Sequence, residues 1–145
     1  MLESRLIWMN GELVEWKEAK VHVLTHALHY GTAVFEGIRC FSTEKGPEVF
    51  RLRDHIVRLI DSTKIYLMNF PLPVDEICRA VKETIVANKL QDCYVRPLAY
   101  YSYGEMGINP LPNKVSLAKV IDITSDRASA ATGTEEDDRS GQEAA

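Results

Sequence analysis

Arg96 stands in CYVRPLAYY, a run with no other charge. Strand alternation there sets Tyr94, Arg96, Leu98 and Tyr100 on one side and Cys93, Val95, Pro97, Ala99 and Tyr101 on the other. A guanidinium between a phenol and a leucine is either an edge residue reaching for water or a planar fork for a carboxylate or phosphate. A second dense stretch, HALHYGTAVFEGIRCF from His26 to Phe41, gathers two histidines, three aromatic rings, two glycines, a glutamate and Arg39. Gly37 lacks a side chain just before Arg39, so a ligand can approach the backbone there closely.

Other candidates read as structural. Arg58 falls on the polar side of a helical pattern, with Asp54 four residues before it and Asp61 three after, which is the spacing of an ordinary surface ion pair. His22, His26, His29 and His55 have no carboxylate or cysteine at a convincing ligand spacing, so hydrogen-bonded histidines are expected and no metal. No serine sits in a nucleophile elbow, and no glycine-rich phosphate loop follows a strand. Acyl transfer and nucleotide hydrolysis therefore have no support.

The elements that must hold these groups can be read from patterning. In LIWMNGELVEW, Asn10-Gly11 between two apolar, β-prone runs predicts a tight hairpin. Gly31 and Gly37 would each weaken a helix by roughly 1 kcal/mol and suit a strand interior no better, so the segment 26–41 reads as irregular backbone up to Ile38. A second strand pair is expected from Ile38 to Ser42 and from Glu48 to Arg51, joined through Lys45-Gly46-Pro47. Leu52, Ile56, Leu59, Ile60, Thr63 and Leu67 share one helical face, and after Pro71 to Pro73 a second helix follows on Val74, Ile77, Val81 and Ile85. Asp75 and Glu76 suit its N-terminal dipole. CYVRPLAYY and LPNKVSLAKVI read as two further strands. The fold class expected is α+β, a mostly antiparallel sheet with two helices packed on one face.

A chain of 145 residues, 46% hydrophobic, is long enough for one ordinary core. The expected division is an ordered domain over residues 1–121 and an acidic, low-complexity tail over 122–145. That tail carries seven acids against two arginines, so the net charge of −4 belongs to it and leaves the rest near neutrality. From Thr124 onward no apolar side chain exceeds alanine, too little to offset the entropy of ordering, and the tail should be unstructured. Its abrupt onset after KVSLAKVIDI suggests a fold interrupted by truncation or a frameshift. Mixed, scattered charge argues against a nucleic-acid surface, and no apolar run approaches a membrane span or signal core. Three widely spaced cysteines, Cys40, Cys78 and Cys93, fit reduced thiols in a cytoplasmic protein.

The segments IWMNGELVEW, AKVHVLTHALHYGTAVFEGIRCF, VFRLRDHIVRLIDSTKIY, YVRPL and GINP, in that order and spacing, closely resemble the N-terminal part of branched-chain amino-acid aminotransferases. These are class IV, pyridoxal-phosphate-dependent enzymes, and the likeness runs from about Ile7 to Leu117. The sister enzymes, D-amino-acid transaminases and aminodeoxychorismate lyases, usually carry a GDGxFE-like segment in place of YGTAVFEGIR, which favours the branched-chain branch. The resemblance implies that Arg58 grips the cofactor phosphate, against its reading as a surface pair. It implies that Phe35 and Gly37 shape an apolar slot for the aliphatic side chain. It also implies that Tyr94 and Arg96 receive substrate carboxylates, Arg96 the distal carboxylate of glutamate. Arg39 is a further substrate-side candidate, while Tyr30 and Ile108 would reach into a neighbouring subunit's site, implying a homodimer or higher homo-oligomer.

The implied reaction moves the amino group of leucine, isoleucine or valine to 2-oxoglutarate, giving glutamate. It needs a lysine to hold the cofactor and carry a proton. In the family that lysine lies in a larger C-terminal domain, and neither Lys114 nor Lys119 matches it. No catalytic residue is therefore assigned, and the chain alone is expected to be inactive and prone to association through an uncovered apolar face. Two alternatives remain: a non-catalytic module binding carboxylates or a partner, and a piece of one of the sister enzymes.

Overall fold

The computed structural model describes residues 4–70 and 72–122. The stretch from residue 123 onward, expected to be unstructured, lies outside the described residues, as does Pro71. Two strands, β1 (Leu6–Met9) and β2 (Glu12–Glu15), form the expected hairpin, with Asn10 and Gly11 both at positive φ in its turn. Asn10 also ties this hairpin to the body of the sheet. Its backbone N–H donates to the Leu117 carbonyl and its side-chain oxygen accepts from the Leu117 N–H, each at 2.9 Å.

The segment 26–41 is more regular than its glycines suggested. A short helix α1 (His26–Tyr30) ends at Gly31, strand β3 (Ala33–Phe35) follows, and β4 (Ile38–Thr43) begins after Gly37. Neither glycine is inside an element. Gly31 is the left-handed C-cap of α1 at φ 66°, where glycine stabilises a helix end, and Gly37 falls in the gap between the two strands. The partner of β4, strand β5 (Gly46–Val49), starts two residues earlier than expected, so Gly46 and Pro47 are in the strand and the turn is at Glu44-Lys45. Pro47 is tolerated because β5 is an edge strand.

Helices α2 (Leu52–Ile65) and α3 (Val74–Ala87) follow, then β6 (Cys93–Tyr101) and β7 (Val115–Asp122). On α2, Leu52, Ile56, Leu59 and Thr63 are buried as the periodicity predicts. Leu67 departs from it, because the helix has ended and Leu67 sits exposed at φ 54° while Met68 turns into the core. Each fully buried aliphatic side chain, such as Ile56, Leu59, Ile77 or Val81, contributes about 1.5–3 kcal/mol.

The strands form one antiparallel sheet in the order β2-β1-β7-β6-β4-β5, with β3 also paired to β6. Helix α3 lies over β1 and β7, and α2 lies near β3, on the same side of the sheet. Asn88, at the end of α3, clamps β1 by exchanging hydrogen bonds of 2.8 and 2.9 Å with the Leu6 backbone. The α+β expectation with both long helices on one face is met. No helix among the described residues is long and apolar enough to cross a membrane.

Candidate functional site

Strands β3 and β4 lie end to end along β6 in one unbroken register. Phe35 faces Leu98 and Ile38 faces Val95, so Glu36 stands opposite Pro97 and Gly37 opposite Arg96. The ladder is interrupted by chemistry, not by an inserted residue. Glu36 N–H donates to the Pro97 carbonyl at 3.0 Å, but proline has no N–H to return. Alternation across this register separates two sets of side chains. Phe35, Gly37 and Arg39 share the open face of the sheet with Tyr94 and Arg96. Glu36 points the other way, among Val34, Ile38 and the helices.

On the open face the groups are in contact. The Arg96 guanidinium lies 4.6 Å from the centroid of Phe35 and 5.4 Å from that of Tyr94, and it donates to the Tyr94 hydroxyl at 3.4 Å. The Tyr94 ring in turn fills the space above Gly37. Arg39, paired with Tyr94 across the strands, lies 5.6 Å from the Phe41 ring and has a buried Nε with no hydrogen-bond acceptor among the described residues. Two guanidinium groups and a phenol thus border exposed aromatic rings on a surface with no carboxylate paired to Arg39 or Arg96 among the described residues. Such a surface can take an anion beside an apolar chain.

Tyr30 and Ile108 form a separate group. The Tyr30 hydroxyl donates to the Met106 carbonyl at 3.0 Å, and its ring stacks 4.5 Å from that of His26. His26 is buried and bonds the Gly107 carbonyl through Nε2 at 2.8 Å and Thr32 through Nδ1 at 2.9 Å. A carbonyl only accepts, so Nε2 carries the proton. Asn113 holds the base of the same loop with bonds of 2.6 and 2.9 Å to the Glu105 backbone. The loop is therefore pinned at Met106 and Gly107 and presents Ile108, 84% exposed, outward.

Arg58 is on the opposite side of the sheet from Arg96, and the surface pairing read from its helix is absent. Asp54 bonds Arg51 and Asp61 bonds Lys64, both at 2.7 Å. Arg58 instead grips Glu36 with two bonds of 2.5 Å, from Nε and Nη2. His55 donates to the same carboxylate at 3.0 Å. The Arg58 guanidinium above all, with the His55 ring, holds the Glu36 carboxyl below its usual range although burial pushes it up. Glu36 raises Arg58 in return. A hollow of about 350 Å³ beside Arg58 and His55 is walled by Phe50, Arg51 and Asp54. A larger one, about 720 Å³, lies elsewhere, against Val49, Leu52, Cys78 and Ile85.

Sequence patterning assigns no role to Glu36 and only that of a hydrogen-bonded histidine to His55. The signal is nonetheless present: an acid between Val34 and Ile38 on the core side of a strand requires a buried partner, and His55 and Arg58 are one helical turn apart. All four histidines are hydrogen bonded, His22 through Leu24 N–H at 3.1 Å and His29 to the Val23 carbonyl at 2.8 Å. Among the described residues no group of three or more histidines, cysteines or acids is placed to hold a metal ion.

The sequence profile of the family described as Amino-transferase class IV matches residues 33–136. The chain belongs to the class IV aminotransferase family. As a class IV aminotransferase chain it is 53% identical over 106 residues to the branched-chain-amino-acid aminotransferase of Salmonella typhimurium, covering 73% of this chain and 34% of that protein. The Escherichia coli K12 protein of the same name is 53% identical over 104 residues, 72% of this chain and 34% of its own length. The chain thus spans about a third of the curated relatives it matches. In three dimensions it resembles the E. coli branched-chain amino acid aminotransferase crystal structure with a TM-score of 0.80 at 45% identity, a match that covers 83% of this chain and 40% of that one. The T.th. branched-chain amino acid aminotransferase gives 0.81 at 45% identity over 83% and 41%. That protein has been solved with 4-methylvaleric acid, with pyridoxamine 5'-phosphate and with N-(5'-phosphopyridoxyl)-L-glutamate. The family-profile match runs beyond Asp122 into the acidic stretch.

Proposed function

We propose that this chain is the substrate-side lobe of a branched-chain amino-acid aminotransferase, which exchanges an amino group between leucine, isoleucine or valine and 2-oxoglutarate. The observation that carries the reading is the Phe35–Arg96–Tyr94 cluster over Gly37 on the open face of the sheet. An exposed ring and a glycine suit an aliphatic side chain, and the guanidinium beside them suits the distal carboxylate of glutamate. Arg39, whose buried Nε has no acceptor among the described residues, is a second carboxylate receptor on that face. The complexes of the T.th. relative with a branched aliphatic acid and with a phosphopyridoxyl glutamate support the pairing of these two substrate classes.

Pyridoxal 5'-phosphate, when bound, supplies the electron sink that such an exchange requires. The residues present fit its phosphate end. Arg58 has five N–H donors, uses two on Glu36, and keeps three on a side chain 68% exposed beside an open hollow. They do not fit its aldehyde end. No lysine stands on β3, β4 or β6, and Lys119 faces the helices beneath Trp8. The chain therefore contributes a phosphate anchor and substrate contacts, and a further lobe supplies the amine. Tyr30 and Ile108, close together and exposed, suit contact with a second subunit in a homodimer or higher homo-oligomer. Three free thiols suit a cytoplasmic protein, with the domain boundary placed near residue 121.

Mixing this chain with a separately expressed C-terminal part of the E. coli relative tests the reading. Leucine-dependent formation of glutamate from 2-oxoglutarate is expected only with both present. Binding without turnover would make the chain a non-catalytic module, and activity on D-alanine or aminodeoxychorismate in place of leucine would assign it to a sister enzyme.

A further inference from the structure

We propose that Glu36, braced by His55, is a positioning residue that fixes the Arg58 guanidinium with its outer edge turned toward a phosphate. The inference rests on the reading of Arg58 as the phosphate anchor and assigns a role to two residues that reading leaves unused.

Glu36 is only 4% exposed, and its backbone is held on both sides by strands paired to β6 and by its own bond to Pro97. The carboxylate is therefore a fixed point. His55, one turn ahead of Arg58 on α2, donates to Oε2 and sets the rotation of the carboxylate plane. Arg58 then docks edge-on, Nε to Oε1 and Nη2 to Oε2. Among the described residues nothing else restrains this long side chain, because the two acids nearest it on the helix are bonded to Arg51 and Lys64. With Nε and one Nη2 hydrogen committed, the other Nη2 hydrogen and one Nη1 hydrogen form the end edge of the guanidinium, a second parallel pair of donors that can take a phosphate bidentately.

The charge balance gives the proposal a sign. Glu36 places a negative charge next to the cation that would receive a phosphate. If charge alone governed anion binding, removing it would tighten the complex. If orientation governs, removing it frees the guanidinium and weakens the complex.

The test uses the full chain, isotopically labelled, with inorganic phosphate as probe and the Arg58 Nε–H proton resonance as readout, assigned by its loss in Arg58→Lys. In the wild type this proton should exchange with water far more slowly than those of Arg53 and Arg79, and it should shift saturably with phosphate. Glu36→Gln should bring its exchange to the rate of those exposed arginines and raise the phosphate Kd about five- to tenfold. His55→Gln should raise it about two- to threefold, and it supplies the test if Glu36→Gln does not fold. Rapid exchange in the wild type, or phosphate affinity unchanged or tighter in both Glu36→Gln and His55→Gln, overturns the proposal. Phosphate affinity unchanged in Arg58→Lys, or no phosphate response in the wild type, overturns the reading of Arg58 itself. Weaker binding by Arg58→Lys with unchanged or tighter binding by the other two variants removes the positioning role alone.

Discussion

The hydroxyl oxygen of Tyr94 occupies the place of a side chain on Gly37: a Cβ built there would collide with it and meet the ring carbon behind it at 2.7 Å. The glycine is required by a neighbour's volume and not by its own backbone angles. Because the obstruction is the far end of a side chain, Gly37→Ala should displace the phenol and leave the strands in place. The substitution is expected to cost about 1–3 kcal/mol, as overpacking does, and most of that cost should vanish in the Tyr94→Ala background. A thermal-melt double-mutant cycle measures both values, and full additivity would refute the coupling.

Moving the phenol also withdraws one side of the Arg96 cradle. Lysine cannot replace the stacked planar group that bridges Phe35 and Tyr94, so Arg96→Lys should leave stability within about 0.5 kcal/mol, as exposed substitutions do. In the complemented enzyme of the proposed reading, it should raise KM for 2-oxoglutarate at least tenfold while changing KM for leucine little. Equal losses for both substrates would show that Arg96 does not discriminate between them.

Lys119 is wholly buried, its ammonium 3.6 Å from the centroid of Trp8, with no hydrogen-bond acceptor among the described residues. Burial pushes its pKa down to about 7 from an ordinary 10.5, against the opposing pull of Glu83. The folded state therefore binds fewer protons than the unfolded chain between those values. Stability should rise with pH from about 7 to 10, by up to about 1.4 kcal/mol per pH unit. Lys119→Met should flatten that rise and stabilise the protein at pH 7 by about 1–3 kcal/mol, because it removes an unsatisfied buried donor. Urea titrations of both proteins at several pH values check this; parallel profiles would contradict it.

Glu36 works in the opposite direction. Its carboxyl is held below the usual range, so its contribution is present above the unfolded value near 4.5 and lost as the pH falls through the folded one. Acid unfolding monitored by circular dichroism should show wild-type stability dropping below about pH 4 more steeply than that of Glu36→Gln. Identical acid limbs would mean that the Arg58 and His55 bonds do not persist in solution.

Much of the fold is legible in the sequence because its signals are local. Asn10-Gly11 specifies a turn by backbone conformation, Cys93 to Tyr101 alternates over a full strand, and α2 and α3 repeat at helical spacing. The short elements α1 and β3 are not legible, since each is too short to complete two periods and their glycines sit at boundaries where they cap or yield space. The same distinction runs through the site. Alternation alone predicts that Tyr94 and Arg96 share a face, because both belong to one strand. That Phe35 and Gly37 meet them depends on a strand register between segments far apart in sequence, which no local pattern encodes. Arg58 shows the limit most plainly. Its helix offers two acids at favourable spacing, yet the carboxylate it holds comes from a strand packed beneath it.

The strand order carries a consequence for biosynthesis. The hairpin made first, β1–β2, joins the rest of the sheet through β7, the last strand described. On the ribosome, the newly emerged hairpin can pack against α3 but cannot join the sheet until Val115–Asp122 clears the exit tunnel, which leaves the β7 edge of β1 unpaired until then. Chaperones that recognise unpaired nascent strands would find their natural client window in that interval.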